Sequence, residues 1–196
     1  YVPEQHAVPY EELPSLDRYL LHVLDQFVAE ATKEYDEYAF SRVYSLLQQF
    51  AVSDLSNFYL DVAKDRLYIS SADEPRRRSC QTVMARVLEA FAAVLAPVLP
   101  HMAEDIWSNM PYQTEHKSIF QAGWPASGAA SGGMDAAEVA EWEALRALRD
   151  TANKALERAR NDKTIGASLE AKLYVHTDDA TLQSALGKYT GGQGGS

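Results

Sequence analysis

The sequence predicts a mainly α fold: a helical bundle, then a further helix and the start of a small α+β unit. Three observations carry that prediction. Apolar residues recur at helical spacing over long stretches. Prolines stand where those stretches begin and end. One short segment near the C-terminus alternates apolar and polar residues as a strand does. The chain has 196 residues, 46% of them apolar, enough for one real core and a small second unit.

The elements follow in order. Leu16, Leu20, Val23, Leu24, Phe27, Val28, Ala31 and Tyr35 form one helical face, with Arg18, His22, Gln26, Glu30, Lys33 and Glu37 outside it. Phe40, Val43, Leu47, Phe50, Ala51, Leu55, Phe58, Tyr59 and Val62 predict a second long helix over 39–67. "SSADEP" interrupts the pattern, and Pro75 suits the first turn of a third helix, where its missing N–H costs nothing. Val83, Val87, Leu88, Phe91, Val94 and Leu95 are its stripe, and Pro97 and Pro100 end it. A short fourth helix is expected over 101–110.

"PASGAASGGMDAAE" is a linker by composition. Val139, Trp142, Leu145, Leu148, Ala152 and Leu156 mark a fifth helix ending near Asp162. "SLEAKLYVHT" puts Leu169, Ala171, Leu173 and Val175 on one side and reads as a strand, with "DDATLQSALGKY" a capped helix behind it. One strand is not stable alone, so its partners are expected elsewhere. The predicted organisation is a bundle over 1–125, a linker over 126–137, and a junction helix with a partial α+β subdomain over 138–190. Residues 191–196 resemble a linker or cloning remnant, and no methionine opens the chain, so it reads as a piece of something larger.

Composition narrows the function. A net charge of −10 argues against a non-specific polyanion binder such as a DNA-coating protein, while leaving room for a local basic patch. No run approaches the roughly 20 apolar residues a membrane helix needs. Cys80 is the only cysteine, which excludes an intrachain disulfide and a cysteine-rich zinc cage and fits a reducing, cytoplasmic compartment.

"LAPVLPHMAEDIW" delivers His101, Glu104 and Asp105 within one helical turn. His101 and Asp105, four apart, could offer two metal ligands, but nothing supplies a third. Pro100 places His101 at a helix start, where acidic residues favour the positive end of the dipole. The stretch therefore reads as a packing corner, with no metal and no catalytic role. No phosphate-binding loop, dinucleotide fingerprint or H-E-x-x-H occurs. "PRRRSCQTVMARVL" holds Arg76, Arg77, Arg78 and Arg86 without an acid; most are expected to pair with neighbours such as Asp73 and Glu74.

Four segments in order, "LPSLDRYLLHVLDQFV", "YDEYAFSRVYSLLQQFAVSDLSNFYLDVAKDRLY", "RRRSCQTVMARVLEAFAAVLAPVLPHMAEDIW" and "LRDTANKALERARNDKTIGASLEAKLYVH", resemble the C-terminal region of bacterial-type isoleucyl-tRNA synthetases. The resemblance covers about Leu13 to Val175. It implies an anticodon-binding helical bundle that holds the anticodon arm of tRNA(Ile). Aminoacylation would be carried out elsewhere in an ATP- and magnesium-dependent enzyme with zinc in a further C-terminal module. The class I nucleotide-binding signatures and the editing domain are absent, so this chain alone is expected to be inactive and to need no cofactor. The partners implied are that tRNA and the rest of the synthetase, not DNA or a membrane.

Arginine and lysine suit phosphates, and aromatics suit unstacked loop bases. On that ground Lys64, Arg66, Arg76, Arg77 and Arg78 are candidate RNA-binding residues sharing one bundle end, with Arg158, Arg160 and Lys163 as a second group. Tyr59 lies on the core stripe and is expected to pack. Two alternatives stay open: a valine or leucine synthetase of the same class, and a helical protein-interaction domain whose acidic surface meets a basic partner. A bundle metalloenzyme would need repeated Glu-x-x-His pairs, which the sequence lacks.

Overall fold

The computed structural model describes residues 1–126, 128, 130 and 132–189; the tail at 191–196 lies outside them. The chain separates into two compact units, one from Tyr1 to Met134 and one beginning at Asp135.

In the first unit a helical turn, α1 (Pro3–His6), precedes the long α2 (Ser15–Asp36). The buried face of α2 is wider than the stripe suggests, adding Asp17, Tyr19 and Leu21 to the expected leucines and valines. It ends in a Schellman motif. Tyr38 takes a left-handed conformation (φ 55°), Ala39 N donates to the Glu34 carbonyl (2.8 Å), and Tyr38 N donates to that of Tyr35 (3.0 Å).

The helix expected over 39–67 is present as α3 (Phe40–Gln49), a π-helical stretch (Phe50–Leu60) and α4 (Asp61–Tyr68). The wider π turns change which residues face inward, because their hydrogen bonds span five residues instead of four. Phe50, Asp54, Phe58, Tyr59 and Ala63 are buried, while Val62, placed on the stripe by α-helical counting, is 43% exposed. Across the short corner after Tyr68, α5 (Pro75–Leu95) starts with Pro75 in its first turn. Phe27 stacks on Phe50 at 4.6 Å, and Phe91 lies 6.0 and 6.1 Å from those rings. This three-ring stack joins α2, the π stretch and α5.

The proline corner behaves as a packing device. In α6 (Pro100–Ser108), Trp107 is buried and its Nε1 donates to the His116 carbonyl (2.9 Å). Glu104 Oε2 accepts from Ser118 Oγ (2.9 Å) and Ile119 N (3.1 Å), capping the short α7 (Ile119–Ala122). Part of the glycine-rich linker folds back on the same unit. Trp124 Nε1 donates to Thr32 Oγ1 (2.8 Å), Ala130 N to Asp25 Oδ1 (3.1 Å), and Arg86 Nη1 to the Ala130 carbonyl (3.1 Å). Gly132 lies so close that a Cβ there would come within 2.6 Å of the Tyr10 ring.

In the second unit α8 (Ala136–Asn161) packs against α9 (Ala180–Tyr189). The Glu141 carboxylate accepts from Ser184 Oγ (3.1 Å) and Lys188 Nζ (3.0 Å), and the Trp142 and Tyr189 rings lie 5.0 Å apart. Asp179 Oδ1 caps α9 by accepting from Leu182 N (2.9 Å). The predicted strand is not there. Ser168–Glu170 forms a 3-10 turn, residues 171–179 have no regular structure, and no strand occurs among the described residues. An alternating sequence becomes a strand only beside a second backbone, and none of the described residues offers one.

Candidate nucleic-acid interface

Lys64 and Arg66 on α4 and Arg76, Arg77 and Arg78 at the start of α5 flank one corner of the first unit, but they are not equivalent. Arg66 points inward. Its Nη1 donates to Asp17 Oδ2 (3.0 Å) and Oδ1 (3.1 Å), and Tyr59 OH donates to Oδ1 (2.7 Å). Asp17 is fully buried and the Arg66 side chain only 20% exposed. Burial raises the Asp17 carboxyl above its usual range, with the Arg66 charge and the two donors opposing the rise. Burial likewise pushes the Tyr59 phenol and the Cys80 thiol up. Arg66 is therefore a counter-ion of the core. Phosphate would have to compete with a desolvated carboxylate to reach it.

Arg77 and Arg78 are half-buried and shape the corner itself. Arg77 Nη1 donates to the Ser70 carbonyl (2.9 Å). Arg78 Nη2 pairs with Asp73 Oδ1 (2.7 Å) while its Nη1 donates to Gln81 Oε1 (3.1 Å), so the guanidinium is only 15% exposed. Hydrogen bonding by Arg78 holds the Asp73 carboxyl below its ordinary value. The acidic pairing expected for most of the arginine run is found for Arg78 on Asp73, while Arg77 and Arg86 bond backbone carbonyls instead.

Two cations of the group remain at the surface. Lys64 pairs with Asp61 (2.9 Å) with both side chains half exposed, and that hydrogen bond raises the ammonium's pKa. Solvent screens such an exposed pair, so Lys64 can exchange its partner at little cost. Arg76 is exposed in the first turn of α5. In the second unit Arg158, Arg160 and Lys163 are all exposed near the end of α8; Arg160 contacts Glu157, and Lys163 takes a left-handed conformation (φ 56°) just past the helix.

Sequence reasoning missed Asp17. The signal was present: Asp17 precedes Leu20, Leu21 and Leu24 by three, four and seven residues, so it shares their face. An acid on an apolar face asks for a buried cation, and Arg66 answers. Among the described residues no group of three His, Cys, Asp or Glu side chains could hold a metal ion, and no helix is long and apolar enough to cross a membrane.

The first unit is thus a helical unit with an apolar core, a buried Asp17–Arg66 pair and exposed cations flanking the α4–α5 corner, and similarity to known proteins defines its class. The chain belongs to the family described as the anticodon-binding domain of tRNA ligase, which matches residues 17–175. Its similarity then narrows to one member of that class. It is 50% identical over 186 residues to the isoleucine–tRNA ligase of Thermosynechococcus vestitus, covering 95% of this chain and 19% of that protein. It is 49% identical over 188 residues to that of Gloeobacter violaceus, and 48% over 193 residues to that of Acaryochloris marina, covering 96% and 98% of this chain. The chain spans about a fifth of the length of these curated relatives.

Proposed function

We propose that this chain holds the anticodon arm of tRNA(Ile) for a longer, cytoplasmic isoleucine–tRNA ligase and so positions the acceptor end in a distant catalytic domain. The observation that carries the reading is the family match over residues 17–175 together with the similarity, at 48–50% identity, to the three isoleucine–tRNA ligases named above. Its partners are the tRNA and the remaining domains of the ligase. ATP, magnesium and zinc would serve that whole enzyme, and no step involving them falls to the residues of this chain.

Within this reading, RNA meets the cations that remain at the surface. Lys64 and Arg76 are the surface cations of the α4–α5 corner, and Arg158, Arg160 and Lys163 those of α8. Arg66 and Arg78 are committed to Asp17 and Asp73, so replacing them would test folding more than binding.

Binding of the chain to isoleucine and valine tRNA transcripts, each across a salt series, tests the reading. The expected result is a preference for the isoleucine transcript and a clear salt slope. Replacing Lys64 and Arg76 together by Ala should reduce that slope by roughly 1–2, about one for each phosphate that is no longer neutralised. Equal affinity for both transcripts would overturn the isoleucine assignment. An unchanged slope in the double variant would remove the α4–α5 corner from the interface.

A further inference from the structure

One residue of the α4–α5 corner takes no part in the pairing that organises its neighbours. Tyr68 ends α4 with 86% of its surface exposed, and Ile69 beside it is 80% exposed. The ground beneath them is stiff. Arg77 holds the Ser70 carbonyl (2.9 Å), Glu74 N donates to the Ser71 carbonyl (3.2 Å), and Arg78 grips Asp73 (2.7 Å). Two residues before Tyr68, Arg66 is locked to Asp17. A tyrosine presented on such a base loses little conformational entropy when it is covered, because it has only two side-chain torsions to freeze.

The surface cations on either side of this corner are unequal: Lys64 on α4 is paired with Asp61, whereas Arg76 stands exposed in the first turn of α5. A phosphate would therefore be drawn to the α5 side, leaving a planar group to lie on the ring. A nucleobase from an unpaired loop meets both demands, since every base has a π face.

We propose that Tyr68 is the platform on which one unpaired base of the bound RNA loop stacks, with Arg76 taking the neighbouring phosphate. This rests on the tRNA-binding reading above. Tyr68 acts through ring area, so its contribution is insensitive to salt, unlike that of Lys64 and Arg76.

The test uses the 196-residue chain, an isoleucine tRNA transcript and a salt series. Tyr68→Ala should weaken binding on the order of 5- to 150-fold, the range one base–aromatic stack is worth, with the salt slope unchanged. Tyr68→Trp, which keeps a stacking surface, should stay within about threefold of the unsubstituted chain. Circular dichroism of both variants should match that chain, since an exposed ring supports no core. If Tyr68→Ala binds as well as the unsubstituted chain, or if Trp fails to restore what Ala loses, the stacking role is wrong while the tRNA reading stands. If the unsubstituted chain binds no tRNA, both fall together.

Discussion

Replacing Arg66 with Met would leave Asp17 buried without its cation. The remaining ligand is Tyr59 OH at 2.7 Å, which cannot neutralise the charge. Two routes are open to the variant. Asp17 can stay ionised and unpaired, which costs about 3–5 kcal/mol for a buried pair broken on one side. Or it can take a proton. Against an unfolded value near 3.9, holding the acid neutral costs about 1.36 kcal/mol per pH unit, roughly 5 kcal/mol at pH 7.5 and roughly 1.5 kcal/mol at pH 5.

The cheaper route limits the loss, so the expected destabilisation is about 3–5 kcal/mol at pH 7.5 and about 1–3 kcal/mol smaller at pH 5. The sign agrees with the direction of the native shift. Burial already raises the Asp17 carboxyl, and removing Arg66 raises it further, so falling pH relieves the variant. Urea titrations followed by far-ultraviolet circular dichroism at the two pH values measure this. Asp17→Asn combined with Arg66→Met should recover much of the loss, because an amide needs no counter-ion. Equal losses at both pH values, within about 0.5 kcal/mol, would refute the account of Arg66 as the counter-ion of a buried carboxylate.

Further consequences follow from the same core and from the second unit. Tyr59 and Cys80 have folded pKa values above their ordinary ones, so they contribute stability that is present below their unfolded values and lost as pH rises from about 8.5–10 toward the folded values. Urea midpoints should therefore fall through that alkaline window, and Tyr59→Phe should make the fall shallower. An identical slope in the variant would exclude Tyr59 as a contributor. In the second unit, Asp179→Ala removes the cap on Leu182 N and should cost α9 about 1 kcal/mol, read as faster amide exchange in the first turn of Ala180–Tyr189.

The helical organisation was legible because amphipathic period is a local property. Leu16 to Tyr35 and Val83 to Leu95 announce their inner faces whatever they pack against, and Pro75 and Pro100 mark helix starts by backbone chemistry alone. The family resemblance was legible for a related reason, since it is carried by residue order. The strand over "SLEAKLYVHT" did not follow from its alternation, because pairing needs a second backbone that a one-dimensional pattern does not describe.

Tertiary structure decided the meaning of the charges. In sequence Lys64, Arg66, Arg76, Arg77 and Arg78 form one basic group. In space Arg66 on α4 closes on Asp17 of α2, Arg77 and Arg78 fix the corner, and Lys64 and Arg76 face solvent. The difference is desolvation. A cation's availability to a phosphate depends on how deeply its partner is buried, and the partner of Arg66 is 49 residues away along the chain. The structure also buries Asp54 within the π-helical stretch and leaves Val62, just beyond it in α4, exposed. Sequence thus determined the main helices, their order and their kinship. Only the fold determined which charges are spent inside the protein and which stay at its surface, because that depends on distances and burial that arise once the helices have packed.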